Sequence, residues 1–141
     1  MSEEHNIKIV RGWVKNVFNR QSQVDVPDYK ARNNYKTHTP FPGTTPDVPG
    51  FLNAFNTVLA AFPDFQFDID EIIAKENIVV VRGTWTGTHK GDYMGIPPTG
   101  KKVAVTRLDM LKVENGMIVE HWGFGDDWNK IRQLTTDDYD S

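Results

Sequence analysis

Apolar residues at Ile7, Val10, Trp13, Val14, Val17 and Phe18 recur at spacings of three and four, the period of one helix face. Ser2 stands where a capping hydroxyl belongs, so the spacing predicts an amphipathic helix from there to Phe18. Between Gln21 and Pro49 the pattern dissolves. Five prolines (Pro27, Pro40, Pro42, Pro46, Pro49) and few apolar residues leave room only for short regular pieces. A loop of that length usually serves function or packs as a lid. Asp47 then caps a second helix with Pro49 near its first turn. Its buried stripe is Phe51, Leu52, Phe55, Val58, Leu59 and Phe62, and Pro63 ends it.

Beyond Asp64 the period becomes two. Phe65, Phe67 and Ile69 alternate with Gln66, Asp68 and Asp70, which predicts a half-buried strand continuing towards Ile73. Lys75-Glu76-Asn77 reads as a hairpin turn into the β-rich run Ile78 to Thr88. Gly83 and Gly87 within that run predict bulges or close backbone approach on a curved sheet. A wide connection from Gly91 to Gly100 precedes a strand from Lys101 to Val113. Asn115-Gly116 suits the positive φ angles of a type I′ turn and makes Met117 to Phe124 the antiparallel partner. Two helices around an irregular segment, then four antiparallel strands, define an α+β layout with helices on one face of a curved sheet. Such a sheet closed by helices makes a cone, and polar residues pointing into it make a small-molecule pocket.

Composition narrows the chemistry. The 141 residues form about one domain's worth of sequence, read here as one domain over 1–141. The chain has no cysteine, which excludes disulfides, thiol nucleophiles and thiolate zinc sites. A net charge of −3 supplies no positive field for a nucleic-acid backbone. No stretch approaches eighteen apolar residues, and the start MSEEHNIKIV lacks the basic and apolar regions of a secretory leader. A cytoplasmic protein that does not enter the membrane is therefore expected. The four histidines and many acids form no His-x-x-x-His or oxygen-cage pattern, so no metal is expected. A Gly-x-Ser-x-Gly elbow and a phosphate-cradling glycine loop are also missing, and the stretch from Lys130 to Asp138 and beyond reads as acidic.

Candidate acid–base groups sit on the last strands. Period two places Asp109 with Val105, Arg107, Leu111 and Val113 on the inward face. There a desolvated carboxylate would have a raised pKa, useful for proton transfer, or would be paired to Arg107. His121 shares a face with Val119 and Gly123 in an unbroken strand; it is either a proton donor to a ligand or a structural donor. Gly123 and Gly125 allow a bulge that turns Asp126 into the pocket; otherwise Asp126 caps the short helix ending near Leu134. Arg82, Trp85 and His89 lie along the second strand, where Trp85 would stack on a flat ligand and Arg82 would meet a carbonyl or carboxylate. Trp85 and Trp122 are the expected pocket walls. Tyr93 and Met94 suit an apolar lid or a dimer contact.

The runs THTPFPG at 37–43, RGTWTGTHKGDYMGIPPTGK at 82–101 and ENGMIVEHWGFGDD at 114–127 together resemble the SnoaL-like polyketide cyclase or ester cyclase family of the NTF2-like superfamily. The likeness extends over nearly the whole chain. It implies a cone-shaped, curved antiparallel sheet with helices packed on its concave side, enclosing a pocket, commonly oligomeric through the sheet and free of cofactors. It also implies intramolecular aldol ring closure, in which a carboxylate on the last strand removes a proton next to a carbonyl, and it sets His38 at the pocket mouth. The chain departs from the pattern at that pair. The family's catalytic aspartate aligns with Gly123 and its partner histidine with Asp109.

The expectation is a cofactor-free enzyme moving protons next to a carbonyl on a hydrophobic small molecule, working as a homodimer or larger homo-oligomer. Asp109, His121 and Asp126 are its candidate catalytic groups, with Asp109 or Asp126 as base. His38, Arg82, Trp85 and Trp122 are its candidate substrate contacts. A ligand-binding module without catalysis, or a dehydratase or isomerase on the same fold, are the rival readings.

Overall fold

A computed structural model describes residues 2–20, 29–31 and 34–136. Pro27 and the acidic residues after Thr136 lie outside the described residues.

Helix α1 spans Glu3–Trp13, capped by Ser2, whose Oγ accepts from the His5 backbone N–H at 3.1 Å. The expected run to Phe18 is continuous but changes pitch: Val14–Phe18 is a π-helical turn, closed by Asn19 N–H donating to Val14 O at 2.9 Å. The Asn19 side chain then locks this end onto the sheet. It donates to Phe67 O at 2.8 Å and accepts from Phe67 N–H at 2.7 Å. Helix α2, Val48–Ala61, has Asp47 as its cap and proline in its first turn, as the sequence predicts.

Strand β1 (Lys36–Thr37) is followed after α2 by β2 (Gln66–Lys75), β3 (Ile78–Thr88), β4 (Lys102–Glu114) and β5 (Met117–Gly125). They form one open, curved sheet in the order β1-β5-β4-β3-β2. The four long strands are antiparallel as expected. The all-antiparallel expectation fails at β1, a short parallel edge strand inside the segment read as irregular. Two residues lack a periodic signal, so pairing with β5 alone defines it. Asn115 and Gly116 take φ of 52° and 77°, as the hairpin signal requires. Helix α3, Asp127–Thr135, closes the described chain.

A bulge does fall at Gly83, but its extra residue is on the neighbouring strand: Ile69 faces Gly83 while Glu71 already faces Arg82, and the register with β4 is unbroken at both Gly83 and Gly87. These glycines provide close approach. A side chain at Gly83 would collide with the Phe67 ring, and one at Gly87 would come within 2.9 Å of Phe62. Asp70 is the extra residue in β2, and it switches the inward set from Phe67 and Ile69 to Ile72 and Ala74, leaving Ile73 exposed. Val119 is the extra residue in β5: Ile118 faces Val113, whereas Glu120 already faces Lys112. Without that bulge, the face that buries Ile118 would carry Glu120 and turn His121 outward. The one-residue insertion therefore puts His121 and Gly123 on the concave side.

The core lies between this concave face and the helices. Phe18 touches the rings of Trp13, Phe51, Phe55, Phe65 and Phe67, joining the helices to the sheet.

Candidate active site

The helices leave a cavity of about 420 Å³ against the concave face. Trp13, Phe51, Phe55, Phe65 and Trp85 make much of its wall apolar, and residues 39–42 of the proline-rich segment form part of another side. A space of this size, apolar with a few convergent polar groups, suits one small molecule.

The polar groups come from β1, β4 and β5. Asp109 and Gly123 face each other across β4 and β5, as do Leu111 and His121. His121 Nε2 lies 2.7 Å from Asp109 Oδ1, and Nδ1 lies 3.0 Å from Thr37 Oγ1. Arg107 grips the same carboxylate with two bonds, Nε to Oδ2 at 3.2 Å and Nη2 to Oδ1 at 2.9 Å. A carboxylate accepts only, so Nε2 carries the proton. In the neutral ring Nδ1 then accepts from the Thr37 hydroxyl. The result is a chain from Thr37 through His121 to Asp109 on the cavity wall.

The electrostatics reverse one expectation. Burial alone would raise the Asp109 pKa, as the sequence suggests. The hydrogen bond from His121 and the charge and hydrogen bonds of Arg107 outweigh it and bring the pKa down to about 2. Asp109 is thus a fixed anion and a poor base. Burial holds His121 below its ordinary 6.5, although Asp109 pulls the other way. A neutral imidazole is the group ready to take a proton.

Gly123 is a spatial requirement of this pair. A Cβ there would lie under 3.0 Å from Asp109 Oδ1, Arg107 Nη2 and His121 Cε1 together.

A second polar group faces the cavity beside it. Lys130 of α3 donates to Tyr93 Oη at 2.8 Å and pairs with Asp127 at 3.0 Å. The loop carrying Tyr93 is held by His89, whose Nδ1 accepts from Thr99 N–H at 3.2 Å, and by backbone bonds to Gly100 and Lys101. His89 is fully buried away from the cavity wall, and Met94 is exposed in the turn beside Tyr93.

Of the residues expected at the site, Asp109, His121 and Trp85 line the cavity. Asp126 does not: it is exposed and caps α3, accepting from Asn129 N–H at 3.2 Å, and its neighbour Asp127 reaches the wall instead. Arg82 projects from the outer face near Asp70 and Glu71, at 3.9 and 3.6 Å, because it falls between the inward positions Val81 and Gly83. His38 and Trp122 are also on the outer face, stacked at 4.4 Å, with His38 Nε2 2.8 Å from Glu120. Sequence reasoning missed Thr37, Lys30, Tyr93 as a polar contact, and Lys130. For Lys130 the i, i+3 spacing from Asp127 was the available signal. Among the described residues, no group of three or more His, Asp or Glu converges as metal ligands would.

A curved α+β sheet with a largely apolar cavity and a few convergent polar groups between it and its helices is the architecture of a small-molecule pocket. A family profile described as SnoaL-like polyketide cyclase matches residues 8–134, and the chain belongs to this family. IdmH of Streptomyces antibioticus, named as a candidate polyketide cyclase, is 28% identical with a TM-score of 0.80, covering 92% of this chain and 97% of its own. A candidate polyketide cyclase from Acidithiobacillus ferrooxidans is also 28% identical, with a TM-score of 0.79 over 95% and 97%. AclR of Streptomyces galilaeus, named as a candidate hydroxylase, shares the fold at 24% identity, with a TM-score of 0.84 over 99% and 87%. The curated proteins contain no sequence match.

Two outcomes are expected. Gly123→Ala loses about 1–3 kcal/mol in denaturant unfolding, because the buried pair must move aside; Gly123→Asp, which adds a second anion in the same space, loses at least as much. Unchanged stability in Gly123→Ala would contradict the crowding. Stability also falls with acid in two stages. His121, with its pKa lowered by folding, contributes fully above 6.5 and progressively less below it. Asp109 contributes about 2 kcal/mol above its ordinary 3.8, lost as pH falls towards 2. Unfolding measured across pH for Asp109→Asn should lack the lower stage.

Proposed function

We propose that the protein is a cofactor-free catalyst of proton transfer next to a carbonyl, closing a ring in a hydrophobic polyketide-like molecule by intramolecular aldol addition. The observation that carries this is the Thr37–His121–Asp109 chain on the wall of an otherwise largely apolar cavity. His121 is the base, in place of a carboxylate. The Thr37 hydroxyl occupies the Nδ1 lone pair until a substrate carbon acid replaces it. His121 then takes the α-proton, and Asp109 stabilises the imidazolium that forms. Thr37 and the Tyr93 hydroxyl, whose oxygen already accepts from Lys130, are donors for the enolate oxygen. The enolate carbon attacks a second carbonyl, and the resulting alkoxide takes the proton back from His121. Trp85 provides a flat wall. Atoms balance, so the aldol product is an isomer of the substrate.

The reading includes a homo-oligomer built through the outer face of the sheet. Met110 and Trp122 face each other there, as do Leu108 and Phe124, and Ile73 lies in line two strands away. Phe124 is 68% exposed and Leu108 52%, an apolar patch that water does not favour.

Incubation with hydrophobic polycarbonyl compounds should give cyclised product of unchanged mass, and α-proton exchange in heavy water even without ring closure. His121→Ala lowers kcat about 10²–10⁴-fold. Asp109→Asn lowers kcat as well, and moves the acid limb of kcat/KM further down, since Asp109 is what pulls the His121 pKa up. Binding without exchange or product by the unaltered protein favours the carrier reading. For assembly, light scattering should show Phe124→Glu with Met110→Glu shifting a dimer to monomer; a monomer from the outset contradicts the oligomer.

A further inference from the structure

Lys30 is 1% exposed, yet it belongs to the cavity wall. Its backbone is pinned beside the bulged start of β5, where it bridges Ile118, and Ile118 N–H donates to Tyr29 O at 2.6 Å. Its Nζ sits over three rings, 3.6 Å from the Tyr35 centroid, 4.4 Å from Trp13 and 4.9 Å from Phe51. Lys130, the other lysine of the wall, has a carboxylate and a phenol oxygen as partners. Lys30 meets no hydrogen-bond acceptor among the described residues.

Ring faces attract a cation but offer no oxygen in place of the water that an ammonium loses on burial. That burial drives the Lys30 pKa well below 10.5, with Asp109 pulling the other way. The other charged or titratable groups around it are Tyr35, in ring contact, and His121, electrostatically coupled to it. A lowered pKa raises the share of free amine, and a free amine in an apolar pocket is a nucleophile towards carbonyl carbon.

We propose that Lys30 is a carbonyl-condensing amine, whose Nζ forms a covalent imine with a ketone or aldehyde bound in the cavity. Nζ adds to the carbonyl carbon, forming the C–N bond. The carbonyl oxygen departs as water with the two amine protons, and one further proton from solvent makes the iminium. The iminium draws electrons from the adjacent carbon, so its C–H is more acidic than that of the free ketone. His121, on the same cavity wall, is then placed to remove that proton and give an enamine. The inference rests on the carbonyl chemistry proposed above and names the electrophile class that the site binds covalently.

The test uses 2,4-pentanedione with the full chain at neutral pH. Its imine tautomerises to an ultraviolet-absorbing enaminone, heavier than the protein by the diketone less one water. The expected result is one adduct per chain, mapped by peptide mass to Lys30 while Lys130 and the surface lysines remain unmodified at low reagent. Lys30→Met and Lys30→Arg abolish the adduct, and their melting curves confirm folding. No adduct, or an adduct that persists in Lys30→Met, overturns the proposal. Its failure differs from failure of the cyclase reading. Ring closure undiminished in Lys30→Met overturns the lysine's role and leaves His121 as base, whereas a Lys30 adduct on a protein that closes no ring supports the lysine chemistry alone.

Discussion

The hydrogen bond between Asp109 and His121 is the constraint around which the cavity is arranged. A carboxylate only 14% exposed is tolerable when its lone pairs are filled, and Arg107 and His121 fill them. That fixed anion in turn dictates the histidine tautomer and leaves Nδ1 as an acceptor towards Thr37. Three backbone features make the bond possible. The Val119 bulge turns His121 inward, the parallel β1 strand sets Thr37 opposite it, and Gly123 leaves the volume that the Asp109 and Arg107 side chains occupy.

The same geometry accounts for a glycine at position 123. The chain has a carboxylate and an imidazole on the inward face of its last two long strands. Its carboxylate stands on β4 and its imidazole on β5, two residues before Gly123. An aspartate at 123 would place a second anion against Asp109 in space already filled. On the proposed function, the base is then the imidazole of His121 rather than a carboxylate. Around this pair the cavity divides its labour: Trp13, Phe51 and Trp85 exclude water, while Thr37 and Tyr93 present hydroxyls.

Much of the frame was legible from pattern alone. Ser2, Asp47, Pro63 and Asn115-Gly116 mark element ends by local chemistry, and the structure uses each of them there. Period two correctly put Asp109 and Arg107 inward on β4. It grouped His121 with Val119 and Gly123 by assuming an unbroken strand, whereas the inserted residue at 119 breaks that set and is what turns His121 inward. Strand β1, Thr37 and Lys30 were illegible because their positions come from pairing with β5, a long-range contact with no local period. Arg82, His38 and Trp122 show the converse error, since residue chemistry suggested binding while strand parity sends them to the outer face. Asp126 illustrates a local rule winning, because an aspartate preceding a helix is held by the free N–H groups of its first turn.

The central claim is that His121 is neutral, protonated at Nε2 and accepting at Nδ1 in the resting protein. Nitrogen-15 NMR of the imidazole across pH measures this directly. The account predicts a protonated Nε2 and an unprotonated Nδ1 at neutral pH, with titration below 6.5. A ring charged at neutral pH, or one with the proton on Nδ1, would contradict it.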